Sequence, residues 1–170
     1  QDHKRIFFFF FGPNTGGMGA YSPAPVVTDD LWPDIRTRVF ENTVAELRRR
    51  GITYRGVLYA GLMLTRRGLR VLEFNCRFGD PECQAILARW DGDILPALEA
   101  CAEGHLHESM VRWTPDPSVC VVMAAGGYPG TCRQGDPIHG LDAANAVPGV
   151  VVLHAGTQQH GPDVVTSGGR

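Results

Sequence analysis

The stretch at residues 71–82 constrains the fold and chemistry of this chain more than any other, and it reads Val-Leu-Glu-Phe-Asn-Cys-Arg-Phe-Gly-Asp-Pro-Glu. Side chains alternate between the two faces of a β-strand, which predicts Glu73, Asn75 and Arg77 on one face. Carboxylate and amide oxygens suit Mg²⁺, and a guanidinium can hold a phosphate oxygen. The stretch therefore indicates nucleotide-dependent phosphoryl transfer, although alternation alone favours a solvated strand face. The opposite face is apolar and can seat the strand on a core: Leu72, Phe74, Cys76 and Phe78.

The composition limits the class of protein and its partners. The chain has 170 residues, of which 44% are hydrophobic and 20% charged, as in soluble globular proteins with one domain or one domain plus part of another. Its formal net charge of −2 argues against a general nucleic-acid binder and gives no reason to expect a membrane surface as partner. Five cysteines without a CxxC pair predict reduced thiols in a cytoplasmic protein rather than a zinc or disulfide framework.

A glycine-rich segment occupies residues 12–25 and reads GPNTGGMGAYSPAP. Because its glycines have no Cβ, backbone amides of this segment can turn toward an anion or a closely bound ligand. The segment matches neither the Walker pattern GxxxxGK[ST] nor the dinucleotide pattern GxGxxG. A substrate-binding loop and a flexible surface loop are therefore both open interpretations.

The remaining pattern predicts an α+β chain. An amphipathic helix is expected over residues 29–50, capped by Asp29 or Asp30, and its arginines 48–50 are expected to be solvated. A hairpin with strands at 54–65 and 69–74 follows, then a helix after Asp80 and a helix from about residue 94 to 103. Beyond a proline-containing linker at 113–117, strands are expected at 119–125 and 150–155 with no strong helix. The predicted domains are residues 1–112 and a β-rich domain at 118–170.

Four segments together resemble the phosphoribosylamine–glycine ligases, the glycinamide ribonucleotide synthetases of purine biosynthesis. They are QDHKR at 1–5; the glycine-rich segment at 12–25; YAGLM at 59–63 with the stretch at 71–82; and the runs at 121–130, 154–157 and 165–170. They occur in the family's order and span nearly the whole chain. The resemblance implies an ATP-grasp enzyme, with residues 1–112 as the C-terminal lobe of the ATP-grasp fold and 118–170 as part of a small β-rich C-terminal domain. The chain has no initiator Met, and we expect it to be an inactive fragment of a longer enzyme.

The resemblance also implies a reaction and its residues. The family joins glycine to 5-phosphoribosylamine through a glycyl phosphate, using ATP and releasing ADP and phosphate, with Mg²⁺ or Mn²⁺ as the metal. Glu73 and Asn75 would be the metal ligands. Arg77 would be the catalytic cation, and all three would contact the bound nucleotide. The substrate-binding residues implied by the resemblance are Asp2, Asn14, Thr15, Gly16, Gly17 and Arg170, the last for the ribose phosphate.

Two positions depart from related patterns. Gly61 stands where many ATP-grasp enzymes carry a second metal-binding Glu, which separates the chain from biotin-carboxylase relatives and leaves the ligands of a second metal open. Five phenylalanines at 7–11 stand where the family has a polar, acidic loop. The alternatives are another ATP-grasp carboxylate–amine ligase or carboxylase, and a non-catalytic nucleotide-binding module. The sequence gives no indication of oligomeric state.

Overall fold

The computed structural model describes residues 3–4 and 13–170, so Asp2 and the phenylalanines at 7–11 lie outside the described residues. The chain forms two compact units. Among the described residues, the first comprises 19–120, and the second combines 3–4 and 13–18 with 121–170. Helices and strands are mixed along the chain, which confirms the α+β class. The predicted division into domains at residues 112–118 remains a prediction.

One long helix dominates the start of the first unit. It consists of α1 (Trp32–Ile35), a π-helical segment (Arg36–Glu41) and α2 (Asn42–Arg49) in direct succession. Ile35 and Val39 are each only 3% exposed, as expected for the apolar stripe of an amphipathic helix. The predicted helix is therefore confirmed, with a wider turn at its centre.

Only the N-terminal end of this helix differs from the expectation, in the residue that caps it. The amides of Leu31 and Trp32 donate to the carbonyl of Thr28 at 3.0 and 2.9 Å, so neither Asp29 nor Asp30 is the cap and that prediction was wrong.

At the C-terminal end of the helix, Arg49 and Arg50 donate to the Glu46 carboxylate at 2.7 Å each, and these bonds lower the pKa of Glu46. The side chain of Arg50 is still 64% exposed, which confirms a solvated helix end.

The next element is an antiparallel hairpin of β2 (Tyr59–Thr65) and β3 (Gly68–Asn75), joined by a two-residue turn. The register passes from Gly61 opposite Glu73 to Leu62 opposite Val71, so Leu72 is an additional residue that forms a β-bulge. The bulge keeps apolar residues of both strands on one face, because directly opposed residues share a face. The pairs are Ala60 with Phe74, Leu62 with Val71, and Leu64 with Leu69.

The expectation that the apolar face of β3 sits on a core is not met among the described residues. Leu72 is 59% exposed and Phe74 is 41% exposed. A two-stranded hairpin buries its apolar face only where another element packs on it. These two side chains therefore keep much of their surface accessible.

The rest of the first unit packs short elements through small side chains. α3 (Glu82–Leu87) packs on β1 (Gly19–Ser22), where Ala85 and Ala20 are each 2% exposed. Small residues at such contacts let backbones approach closely. The remaining elements are α4 (Leu95–Glu103), a 3₁₀ turn (Glu108–Met110) and β4 (Ser118–Val121), which pairs with β1.

Neither α3 nor α4 begins with a side-chain cap bond from its N-cap residue. Pro81 occupies the N-cap of α3 without a side-chain cap bond, and Asp80 accepts instead from the side-chain amide of Gln84 at 3.0 Å. The predicted helix after Asp80 is therefore present, and Asp80 does not cap it. The N-cap of α4 is Ile94, also without a side-chain cap bond, and Oδ1 of the preceding Asp93 accepts the Leu95 amide at 2.9 Å.

The second unit contains α5 (Leu141–Asn145) and an antiparallel hairpin of β5 (Thr157–His160) and β6 (Asp163–Thr166). The predicted strand at 150–155 was wrong, because the Val152 amide donates to the Asn145 side chain rather than to a neighbouring strand. The predicted strand at 119–125 is shorter than expected and ends at Val121. The short helix α5 and the final hairpin were not predicted.

A search of the described residues for helices that are both long and apolar enough to cross a membrane finds none.

Candidate functional site

The hairpin places the two predicted metal ligands on one face of β3. Glu73 lies opposite Gly61, and Asn75 lies opposite Tyr59. Residues two positions apart in a strand point to the same face of the sheet, and so do residues directly opposite each other on paired strands. A carboxylate, a carboxamide and a phenol ring therefore line one face of the end of the hairpin. Glu73 is exposed and Asn75 is half-buried.

Gly61 makes room for Glu73. A Cβ built on Gly61 would lie 3.1 Å from Cγ of Glu73 and 3.6 Å from Cε1 of Tyr59. This separation is tighter than an ordinary carbon–carbon contact, so a larger residue at position 61 would displace the Glu73 side chain. The glycine that departs from many ATP-grasp sequences thus has a steric role on this face.

Arg77 does not continue the row of side chains as strand alternation predicted. β3 ends at Asn75, and the guanidinium of Arg77 donates from Nη1 to the carbonyl of Phe78 at 2.7 Å. The expected placement of Arg77 on a regular strand was therefore wrong, because the chain leaves the strand two residues earlier. Its assignment as the catalytic cation remains a prediction.

Tyr59 also reaches a second carboxylate that sequence reasoning did not assign. Its hydroxyl donates to Oε1 of Glu82 at 2.7 Å, and this bond joins β2 to the start of α3. A Cβ on the buried Gly79 would overlap the Glu82 carboxylate and lie 3.0 Å from Cε2 of Tyr59. The signal that could have identified Tyr59 is its pairing opposite Asn75 in the hairpin.

The donor set on the hairpin fits a magnesium ion as a partial set of ligands. Mg²⁺ is commonly bound by one or two protein oxygens, with water and substrate phosphate completing the shell. Glu73 and Asn75 supply two such oxygens, and the missing Cβ of Gly61 leaves space beside Glu73. Within the described residues, no group of three or more His, Cys, Asp or Glu side chains is placed to hold a metal. Among the described residues, this pair is therefore the candidate set of metal ligands.

A second candidate region lies in the second unit, where residues 14–17 form the turn that we call the glycine loop. The Gly17 amide donates to Oγ1 of Thr15 at 3.1 Å, and Thr15 Oγ1 donates to the carbonyl of Lys4 at 2.9 Å. The Gly16 amide donates to the hydroxyl of Tyr128 at 3.0 Å. The glycine amides thus already have acceptors inside this unit, whereas the sequence had suggested that they present themselves to substrate.

Arg170 contacts the glycine loop directly. Its Nη1 donates to the carbonyl of Gly17 at 2.7 Å, and a Cβ on Gly16 would lie 2.8 Å from its Nη2. The absent side chain of Gly16 therefore makes room for the guanidinium. The structure brings together residues that are 153 positions apart in the chain.

The predicted site residues thus divide between the units. Glu73, Asn75 and Arg77 belong to the first unit, and Arg170 with the glycine loop belongs to the second, in which Asn14 is exposed. Asp2 lies outside the described residues. Sequence reasoning missed Tyr128, although the run at 121–130 that contains it had been noted.

The two cysteines at positions 76 and 83 differ in their surroundings. Burial, followed by the nearby Asp80 carboxylate, raises the pKa of the Cys83 thiol, which leaves less thiolate at neutral pH. Cys76 is exposed, contrary to the expectation that it is buried. A hydrogen bond with Cys76 and then burial raise the pKa of Tyr54 to about 12.

Comparison with known proteins gives two matching family models. The model described as "Phosphoribosylglycinamide synthetase, ATP-grasp (A) domain" matches residues 1–83. The model described as "Phosphoribosylglycinamide synthetase, C domain" matches residues 118–170.

Similar proteins cover the whole chain. The phosphoribosylamine–glycine ligase of Streptomyces coelicolor is 51% identical over 100% of this chain and 42% of its own length. That of Escherichia coli strain K12 is 52% identical, over 100% of this chain and 40% of its own length. The trifunctional purine biosynthetic protein adenosine-3 of Gallus gallus is 53% identical over 100% of this chain and 17% of its own length.

A solved structure agrees with these matches. The crystal structure of phosphoribosylamine–glycine ligase from Thermotoga maritima matches with a TM-score of 0.78 at 33% identity, covering 100% of this chain and 41% of that chain. The chain spans about 40% of the length of the bacterial relatives it matches. Both domain models, the whole-chain identity and the structural match show that the chain belongs to the phosphoribosylglycinamide synthetase family.

Proposed function

We propose that the complete protein is an ATP-dependent ligase that joins glycine to 5-phosphoribosylamine in purine biosynthesis, in the cytoplasm. The observation that carries the proposal is the pair of oxygen-bearing side chains Glu73 and Asn75 on one strand face, with Gly61 opposite Glu73. This pair lies in a chain whose relatives bear the name phosphoribosylamine–glycine ligase. All five cysteines are unpaired, which agrees with a reducing compartment.

We further assign residues 1–112 to the C-terminal lobe of an ATP-grasp fold and residues 118–170 to part of a β-rich C-terminal domain. Matches of the two family models to residues 1–83 and 118–170 support this division. The 170-residue chain by itself should not turn over substrate, because it spans only about 40% of the bacterial relatives' length.

The proposed reaction has two steps. The glycine carboxylate attacks the γ-phosphorus of ATP, which forms glycyl phosphate and releases ADP. The amine nitrogen of phosphoribosylamine then attacks the acyl carbon and loses a proton, and inorganic phosphate leaves. Both steps bring anionic groups together, so positive charge and fixed dipoles are needed to stabilise the developing charge.

The residues of the hairpin would meet this need. Glu73 and Asn75 would hold Mg²⁺ or Mn²⁺, which neutralises phosphate oxygens when bound. Arg77 would stabilise the transferred phosphoryl group, since a guanidinium has five N–H donors and only one is used in the bond to Phe78. Each side chain thus contributes charge or oxygen ligation where the phosphoryl group moves.

The glycine loop would bind the amine substrate. Arg170 places a cation beside Gly16 and Gly17, and a guanidinium suits a phosphate monoester such as the ribose phosphate. Thr15 and Asn14 would add short polar side chains. Asp2 is assigned to the same substrate by resemblance alone.

The direct test is an assay of ADP formation by the complete protein with ATP, Mg²⁺, glycine and 5-phosphoribosylamine. ADP release that requires both glycine and the amine supports the proposal. Turnover that is independent of glycine and coupled to bicarbonate would make the protein a carboxylase. Nucleotide binding without any turnover would make it a binding module, and either result overturns the proposal.

A further inference from the structure

Tyr128 is fixed at both ends of its side chain. Its hydroxyl accepts the amide of Gly16 at 3.0 Å, across 112 positions of sequence. Its ring packs on Gly169, where a built Cβ would lie 2.5 Å from the ring carbon Cδ2 and 3.2 Å from Sγ of Cys132. Only glycine at position 169 leaves this space for the ring. The phenol therefore has one defined position in the second unit.

Gly16 is in contact with two side chains at once. The Tyr128 hydroxyl lies at its amide, and Nη2 of Arg170 lies 2.8 Å from the position of its missing Cβ. The backbone of Arg170 is also held, because its carbonyl accepts the Gly156 amide at 3.0 Å. A neutral hydroxyl and a cation are thus placed beside the same backbone residue.

The chemistry of this pair suits an anion with several oxygens. A tyrosine hydroxyl that accepts one hydrogen bond keeps its own proton for donation. The amides of Gly16 and Gly17 already donate to Tyr128 and Thr15, so side chains must provide the donors for a ligand. A guanidinium and a hydroxyl beside the same glycine match the oxygens of a phosphate monoester.

We propose that Tyr128 is a phosphate-binding residue of this site, whose hydroxyl oxygen orients the Gly16 amide and whose hydroxyl proton is donated to a phosphate oxygen held by Arg170. This inference rests on the proposed function, which assigns Arg170 to the ribose phosphate. It adds a residue that neither the sequence pattern nor the relatives' names assign.

The test uses ribose 5-phosphate as a stable probe, with its binding to the complete protein measured by titration calorimetry. Tyr128→Phe keeps the ring but removes the hydroxyl, and Gly169→Ala displaces the ring while keeping the hydroxyl. Each should weaken binding about tenfold, the usual effect of losing one hydrogen bond to a charged group. In turnover assays the same variants should raise KM for the amine substrate and leave kcat and the Mg²⁺ requirement unchanged.

Two matched controls separate this effect from general damage. Gly126→Ala adds a methyl group into open space in the same unit, and Tyr54→Phe removes a hydroxyl that donates to Val57 in the other unit. Both should bind ribose 5-phosphate as the unmodified protein does.

The outcomes distinguish the two proposals. If the unmodified protein does not bind the probe, the assignment of Arg170 fails and the role of Tyr128 fails with it. If Arg170→Ala abolishes binding while Tyr128→Phe and Gly169→Ala bind normally, only the role of Tyr128 is overturned. If Tyr128→Phe and Gly169→Ala lose binding only to the extent that their melting temperatures fall, Tyr128 is a packing residue. This result would also overturn its proposed role in phosphate binding.

Discussion

The β2–β3 hairpin and the glycine loop hold their polar groups in different ways. On the hairpin, the placement of Glu73 and Asn75 follows from strand alternation and from pairing within one hairpin. At the glycine loop, Gly16 is positioned by Tyr128 and Arg170, more than a hundred residues away in sequence. The hairpin face depends on local backbone geometry, whereas the loop depends on long-range side-chain contacts. Because the hairpin is proposed to hold the metal and the loop the substrate phosphate, substitutions should affect different kinetic parameters in the two regions.

The largest expected effect comes from removing the proposed metal ligands. Glu73→Ala and Asn75→Ala should each raise the Mg²⁺ concentration required, and Glu73→Ala should lower kcat at least about 100-fold, because charge on the phosphate oxygens is no longer neutralised. Mn²⁺ binding followed by electron paramagnetic resonance, without turnover, should weaken in parallel. Glu99→Ala, on the exposed side of α4, is the matched control. Unchanged Mn²⁺ affinity in both variants would remove the pair from the metal site.

A smaller effect is expected from Gly16→Ala. The added Cβ would meet the guanidinium of Arg170 and push this flexible side chain aside. We expect KM for phosphoribosylamine to rise about tenfold with kcat little changed, since binding energy to the phosphate is lost equally in the ground and transition states. Gly126→Ala provides the control. A fall in kcat at constant KM would contradict a binding role for Arg170.

Gly61→Ala should affect the β2–β3 hairpin, and its effect should be smaller than that of Gly16→Ala. Its Cβ would lie 3.1 Å from Cγ of Glu73, so the carboxylate must move by a few tenths of an ångström. We expect about a threefold increase in the Mg²⁺ concentration required and no change in KM for the amine, because the carboxylate is only shifted, whereas loss of a hydrogen-bonding partner of a metal ligand typically costs about 10- to 100-fold in affinity. An altered KM for the amine with normal Mg²⁺ dependence would show that the two regions are not independent.

The smallest effect should be seen with Tyr59→Phe. This change removes the 2.7 Å bond to Glu82 and should reduce the free energy of unfolding by about 1 kcal/mol. Glu82→Gln keeps an oxygen acceptor for the hydroxyl and should retain most of the stability. Chemical denaturation of each variant measures the difference. Equal losses in Tyr59→Phe and Glu82→Gln would indicate that the charge of Glu82, rather than the hydrogen bond, matters.

The contrast between the regions also explains what could be predicted from sequence. The long helix, the hairpin, and the placement of Glu73 and Asn75 on one face all follow from local periodicity. The placement of Arg77 failed because alternation does not reveal where a strand ends. The bulge at Leu72 was missed because it depends on how the two strands align.

The remaining errors arise from contacts between distant residues. The run at 150–155 is rich in valine but has no strand partner among the described residues, and one of its amides bonds the Asn145 side chain instead. Tyr128 was missed because nothing near it in sequence indicates that its hydroxyl meets Gly16. Spacing along the chain carries no information about such contacts until the fold is known.

The measurement that tests the account most directly compares Glu73→Ala with Arg170→Ala in the complete protein. Each variant is titrated with Mg²⁺ at saturating amine, and with phosphoribosylamine at saturating Mg²⁺. Arg50→Ala, which removes an exposed arginine at the end of α2, is the control. The account predicts that Glu73→Ala alone changes the Mg²⁺ requirement and that Arg170→Ala alone raises KM for the amine. If both variants change the same parameter, the assignment of metal and substrate phosphate to two separate regions is contradicted.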